Sequence, residues 1–269
     1  MAELFNDLGR LFLWKCYGFI ASFKRIIRRN KQLKDKYSGI DRCFIIATGP
    51  SINTIDLTKL QGEFIISVSN FFVHKDFQLL QPKFHVFAKS HKPITFEQYS
   101  AWLSDAEKYF TDPELAVVLS EYDDRIVKKS DLFKGKKTYY YTYGGSFPVN
   151  FSKPIPPIKT VVHLAIYLAI YLGIKEIYLL GVDHDWILNY GKSRHFYEEK
   201  EHVMNNYSYD EWSYTEDIGV EFKNLGKLWD TYKIIRRECK KRGIKIYNST
   251  PGSLLDLFPF RFIDEIVKE

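Results

Sequence analysis

Residues 160–183 constrain the fold of this chain more than any other stretch. Thr160 stands where a helix N-cap belongs, and Val161 to Leu172 follows it, apolar on nearly every side. A helix without a polar face has nothing to give to water and is buried between a sheet and further structure. Gly173 supplies the residue type that tolerates the left-handed conformation ending such helices. Glu176 to Leu180 then reads as a continuous apolar strand closing on Gly181-Val182-Asp183. Strands apolar on both faces belong to parallel sheets covered by helices, so the expected class is α/β. The architecture implied is a Rossmann-like, doubly wound, mostly parallel sheet with a helical and loop lid insertion and an N-terminal amphipathic helix.

The rest of the chain repeats that grammar. Cys43 to Ala47 reads as a short buried strand running into Thr48-Gly49-Pro50-Ser51. Phe64 to Ser69, Phe84 to Ala88, Leu115 to Leu119 and Thr138 to Thr142 are further β-rich runs, each ending near polar or small residues. A long helix is expected from about Lys223 to Arg242, ended by Gly243, with a last strand, Ile244 to Tyr247, before Asn248-Ser249-Thr250-Pro251-Gly252-Ser253. A chain of 269 residues holds one large domain of this kind with appendages. Residues 1–38 are assigned to a basic amphipathic helix and 39–269 to a single nucleotide-binding domain, with lid insertions at about 90–136 and 187–220.

Charge is distributed unevenly. The net charge of +6 is concentrated in Lys24, Arg25, Arg28, Arg29, Lys31, Lys34 and Lys36, behind apolar residues at approximately helical spacing from Leu4 to Ile27. Two readings stay open: an interfacial helix binding an anionic membrane surface through residues 4–36, and a terminal helix docked on the core with a solvated basic face. No nucleic-acid-binding signature accompanies the charge, and no nucleic-acid partner is expected. The longest apolar run, Val161 to Leu172, falls short of the roughly 20 residues of a membrane span. Cys16, Cys43 and Cys239 have neither disulfide nor zinc-finger spacing, which suits a reducing compartment. The expected location is cytoplasmic, peripheral on the inner face of the cell membrane. Aromatics reach 17%, more than a core alone needs, which favours pockets or interfaces.

In open α/β sheets ligands bind beyond the carboxyl ends of the strands. Three such ends carry small polar turns, and Thr48, Gly49, Pro50, Ser51, Gly181, Asp183, Thr250 and Ser253 are the residues expected around a nucleotide phosphate. Neither the Gly-x-Gly-x-x-Gly fingerprint nor a Walker lysine motif is present, so dinucleotide enzymes and P-loop kinases are demoted. Asp183-His184-Asp185-Trp186, with His195-Phe196-Tyr197 beyond, is the densest titratable cluster directly after a strand. It suits a general base set by a carboxylate, Mg²⁺ held by oxygens, or a turn in which Asp merely caps amides. His163, Tyr167 and Tyr171 recur at helical spacing and read as core.

Taken together, Ala47-Thr48-Gly49-Pro50-Ser51, Ile55-Asp56-Leu57, Asn70-Phe71-Phe72, Gly173 through Asp183 and Pro251-Gly252-Ser253-Leu254-Leu255 resemble the bacterial lipooligosaccharide sialyltransferases. They resemble equally the related family of archaeal hydroxymethylpterin pyrophosphokinases and flagellin-modifying proteins. The resemblance runs with gaps from about Asp41 to Pro259, and Gly173 to Asp183 is its most specific block. It implies that Gly49, Pro50, Ser51 and Asn70 contact a cytidine nucleotide and that Thr160 faces it. The chain departs from the sialyltransferase pattern at three places. The loop before the last long helix offers Tyr207, Tyr209, Trp212 and Tyr214 where the family has its catalytic histidine. Asp185 and His195 lie near the positions of two phosphate-steadying tyrosines, and Lys89 lies near that of an asparagine.

The resemblance implies an enzyme, a glycosyltransferase of cell-surface polysaccharide or lipooligosaccharide assembly that takes a nucleotide-sugar donor, a CMP-sugar, and a glycan or lipid-linked acceptor. His184, His195 and Asp185 are the candidate catalytic residues, with either histidine as the base. Lys159 or Lys89 would neutralise the departing phosphate. No cofactor or bound metal is expected. Mg²⁺ enters only under the alternative, a diphosphotransferase with ATP on Asp183 and Asp185. A non-catalytic nucleotide-sugar-binding scaffold at the membrane is the third reading, and self-association into a homo-oligomer is compatible with all three.

Overall fold

The computed structural model describes residues 20, 23–90, 94–188, 195–197 and 217–267. Seven strands form one sheet: β1 (Arg42–Ile46), β2 (Ile65–Val68), β3 (Phe84–Val86), β4 (Ala116–Ser120), β5 (Lys137–Tyr141), β6 (Glu176–Leu180) and β7 (Lys245–Asn248). Their spatial order is β5-β4-β3-β2-β1-β6-β7 and every neighbouring pair is parallel. The chain builds outward from β1 to β5, then crosses back to lay β6 on the other side of β1. The β1/β6 seam is therefore the topological switch point, where such sheets open a crevice at their carboxyl edge.

The helices are α1 (Arg25–Arg28), α2 (Phe77–Leu80), α3 (Phe96–Tyr109), α4 (Asp124–Lys129), α5 (Val161–Leu172), α6 (Ile218–Lys241) and α7 (Ile263–Ile266). Alternation along the strands splits the core in two, because successive side chains leave a strand on opposite faces. On β1, Cys43 and Ile45 pack with α5 and α6, while Phe44 and Ile46 pack with α3. Helix α5 lies across β1, β2 and β3, with every residue after Val161 buried. Each fully buried Leu or Ile there contributes about 1.5–3 kcal/mol relative to exposure. Thr160 caps it weakly, its hydroxyl accepting from the Val162 amide at 3.4 Å, and Gly173 ends it at φ 91°.

Two expected features differ. Where a lid insertion was expected at about 90–136, the described residues 94–136 form a regular part of the winding, with α3, β4 and α4 in succession. The charged residues of α3 lie on its solvent face, while its Tyr99, Trp102, Leu103 and Ala106 are buried at i, i+3, i+4 and i+7 spacing. The second lid, 187–220, falls almost wholly outside the described residues. Likewise, residues 1–19, 21 and 22 of the expected N-terminal helix lie outside them. From residue 23 onward that segment is docked: α1 gives way to a 3₁₀ turn, Arg29–Leu33. Ile27 and Leu33 are fully buried, and Asn30 Nδ2 donates to the Tyr140 and Phe151 carbonyls at 2.6 and 2.9 Å. The turns that follow donate the Asp35 and Tyr37 amides to the Tyr171 and Leu172 carbonyls, closing the C-terminus of α5. Among the described residues no helix is long and apolar enough to cross a membrane.

Candidate functional site

The switch-point seam is laced by backbone. Ala47 N donates to Leu180 O at 2.8 Å and Gly49 N to Gly181 O at 2.9 Å, so the two loops leave the sheet side by side. Both glycines are forced by this approach. A Cβ on Gly49 would stand 1.8 Å from Asp183 Oδ2 and 2.6 Å from Gly181 O, and one on Gly181 would stand 2.5 Å from Ile52 Cγ1, at φ 66°. Ser51 donates its amide to Asp183 Oδ1 at 3.0 Å and its hydroxyl to Oδ2 at 2.8 Å. Burial pushes the Asp183 carboxyl above the usual carboxylate range, against the opposing pull of those two bonds. The β7 turn braces the same loop from behind. Thr250 Oγ1 accepts from Val182 N at 3.0 Å, and Ser253 Oγ donates to Val182 O at 2.6 Å.

In front of this seam is a cavity of about 540 Å³. The β1 loop contributes Thr48 and Gly49, the ends of β2 and β3 contribute Ser69 and Ala88, and α5 presents Lys159 and Thr160 at its N-terminus. Gly181, Asp183, His184, Asp185 and Trp186 line it from the β6 loop, His195 from beyond, and Asn224 and Leu228 from α6. The positive end of the α5 dipole and an exposed lysine thus face the same space, an arrangement that attracts anions.

The two histidines differ in what they can do. His184 is buried, its Nε2 is bonded to the Tyr232 hydroxyl at 2.8 Å, and burial pushes its basicity down to about 3. His195 is half-buried, with Nδ1 3.1 Å from Thr48 Oγ1 and its ring stacked on Tyr197 at 5.0 Å between centroids. The segment is fastened to the β1 loop by Phe196 N on Thr48 O at 2.9 Å and by Asn53 Nδ2 on Phe196 O at 3.2 Å. Trp186 donates from Nε1 to Glu221 Oε2 at 3.1 Å, tying the β6 loop to the start of α6.

The cavity therefore gathers Thr48, Gly49, Lys159, Thr160, Gly181, Asp183, His184, Asp185 and His195 from the expected set. Six others stand outside its lining. Pro50 opens a 3₁₀ turn, where its fixed φ fits. Ser51, Thr250 and Ser253 spend their hydroxyls on the seam rather than on a ligand. Asn70 is buried, its Oδ1 accepting from Trp102 Nε1. Lys89 places Nζ 3.8 Å from the Tyr122 ring centroid. Ser69, Ala88, Asn224 and Leu228 were not anticipated. The two α6 residues had a signal, since Glu221, Leu228, Tyr232, Ile235 and Cys239 form that helix's buried stripe. Ser69 and Ala88 had none, because only strand order brings the ends of β2 and β3 beside β1.

No protein-family profile and no curated protein matches the chain. Among solved structures it is similar to the sialyltransferase CstII from Campylobacter jejuni in complex with the substrate analogue CMP-3FNeuAc. Identity there is 23%, over 82% of this chain and 85% of that one, with a TM-score of 0.44. It is similar also to the same sialyltransferase in complex with cytidine-5'-monophosphate, at 20% identity over 82% and 84%, TM-score 0.44. A third similar structure is the sialyltransferase CST-II in complex with trisaccharide acceptor and CMP, at 17% identity over 82% and 85%, TM-score 0.46.

Proposed function

We propose that the chain is a glycosyltransferase that takes a nucleotide-activated sugar, a CMP-sugar, in cell-surface glycan assembly. The observation that carries this reading is the convergence in one switch-point cavity of Lys159 and the α5 N-terminus with His195 held on Thr48. The cytidine nucleotide is supplied by the motif resemblance of the sequence. In the tautomer whose Nδ1–H donates to Thr48 Oγ1, His195 Nε2 takes the proton from an acceptor hydroxyl. The acceptor oxygen forms the new bond to the anomeric carbon as the bond to the nucleotide phosphate breaks. The electron pair leaves on the phosphate oxygen, whose charge Lys159 and the helix N-terminus offset. His184 has too little basicity for this step, and its bond to Tyr232 makes it a fixture of the loop. The diphosphotransferase alternative needs Asp183 for Mg²⁺, and both oxygens of that carboxylate already accept from Ser51.

A thermal-shift panel of CMP, CDP, UDP, GDP and ATP, each with and without Mg²⁺, tests the reading. Stabilisation by CMP without metal is expected. Stabilisation only by ATP with Mg²⁺ would favour the diphosphotransferase, and no response to any nucleotide would leave the scaffold. Attachment to the inner face of the cell membrane through the N-terminal segment, with a glycan or lipid-linked acceptor, belongs to the same proposal.

A further inference from the structure

Two non-glycine residues of the cavity lining have left-handed backbone, Ser69 at φ 51° and His184 at φ 52°. Side chains other than glycine rarely adopt that conformation, and it persists where the surroundings over-determine it, as at ligand clamps. For His184 the restraint is its own imidazole on Tyr232. For Ser69 it is His85, which is fully buried beneath it. His85 Nε2 donates to the Ser69 carbonyl at 2.8 Å, and that acceptor places the ring proton on Nε2. Nδ1 is then left to accept the Ser67 hydroxyl at 2.7 Å. Both ring nitrogens are spent, and the ring is walled by Phe72, Phe77, Phe87 and Phe110 at 4.6–6.0 Å between centroids. No side chain but an uncharged one with a donor at that reach satisfies both bonds in so apolar a place.

This restraint holds the Ser69 carbonyl on the core side, while Ser69 itself lines the cavity, half-buried. Its hydroxyl makes no hydrogen bond with the described residues, in contrast to Ser51, Thr250 and Ser253, whose hydroxyls are all committed. Asn70, the neighbour to which the family resemblance assigns the contact, is turned to Trp102. We propose that Ser69 Oγ binds a polar group of the nucleotide in the cavity, and that His85 is the positioning residue that holds Ser69 there. The proposal rests on the nucleotide reading above.

Calorimetric titration with the best nucleotide of the panel tests it. Ser69→Ala is expected to bind about 3- to 10-fold more weakly with its melting temperature unchanged, the scale of one neutral hydrogen bond. Ser69→Gly is expected to lose the same affinity while melting no lower than wild type, since glycine accepts the left-handed conformation without strain. His85→Leu should weaken binding in the wild-type background and add nothing in the Ser69→Ala background. His85→Gln, which keeps a donor toward the Ser69 carbonyl, should restore most of the loss. If His85→Leu does not fold, His85→Asn, too short to reach that carbonyl, completes the same cycle. Equal affinity of wild type and Ser69→Ala overturns the role of Ser69, and additive losses in the cycle overturn that of His85. Failure of the wild type to bind any nucleotide overturns the function proposed above together with this inference.

Discussion

Gly49 is a glycine because of Asp183. A phosphate approaching the backbone is the reason its sequence context suggests, and the close contact that the fold makes is with the Asp183 carboxylate and the Gly181 carbonyl. Gly49→Ala is therefore expected to lose about 2–4 kcal/mol of stability, the scale of a severe steric insertion, rather than to fold normally and lose only ligand. Urea unfolding decides this, and an unchanged midpoint would show that the seam gives way freely. The buried histidines make a second residue-level prediction. Burial pushes His85 and His184 down to about 3 and His163 well below its ordinary value. The unfolded chain binds protons at these groups from about pH 6.5 downward while the folded one does not. Stability is present above that pH and falls as pH drops from about 6.5 toward 3, by up to about 1.4 kcal/mol per pH unit for each histidine. Asp123 works in the opposite direction, since burial pushes it up to about 6 and its folded form gains protons first. Unfolding free energies at pH 7, 6 and 5 should decline, and a flat profile would refute the buried neutral assignment.

At the scale of elements, α6 holds the β6 loop in place through two polar contacts. Tyr232 bonds His184, and Glu221 receives Trp186, so the helix fixes the loop carrying Asp183 to Trp186. Tyr232→Phe removes one hydroxyl and leaves a buried imidazole nitrogen without its partner, a loss of about 1–3 kcal/mol. The nucleotide-dependent rise in melting temperature should shrink with it if the loop shapes the cavity. An unaltered rise would show that the loop holds its place without α6. Helix α5 is tied in the same way at its far end. Gly173 has φ 91° and lies against the Asp35 and Ser38 backbone, 3.1–3.2 Å from where a Cβ would be. Gly173→Ala should cost about 1–2 kcal/mol from the left-handed conformation alone, measured by the same unfolding experiment.

At the scale of the whole molecule, the N-terminal basic segment carries both contacts of the fold and exposed charge. From residue 23 onward it is part of the fold: Lys24 pairs with Glu121 at 2.9 Å, and Arg29 donates to the Thr138 carbonyl at 2.5 Å. Other basic residues of the run, Arg25, Arg28, Lys31, Lys34 and Lys36, are exposed beside them. A deletion meant to test membrane binding should stop before Ile27, whose burial makes it core. Removing residues 2–22 is expected to leave a folded protein that no longer sediments with anionic vesicles. Sedimentation of the full chain should weaken as salt rises, because screened charge contributes to it. If the full chain ignores such vesicles at low salt, the segment serves the fold or a protein partner.

The seven strands and the helices α5 and α6 were legible in the sequence because each rests on local information. Apolar continuity marks a doubly covered strand, and Thr160 and Gly173 mark the ends of a helix with no polar face. The three loop clusters at the strand ends were legible for the same reason. What each polar residue in them does was not. Whether a hydroxyl faces a ligand or a neighbouring loop depends on which strand ends up beside which, and residues 132 apart in the chain, Ser51 and Asp183, satisfy each other only across the β1/β6 seam. Ser69, directly after β2, and its buried partner His85, on the adjacent β3, lie 16 residues apart with nothing in their local pattern to join them. Propensity and periodicity act over a few residues and so determine elements. The partners of buried polar groups are chosen by packing over the whole chain, and only the tertiary structure decides them.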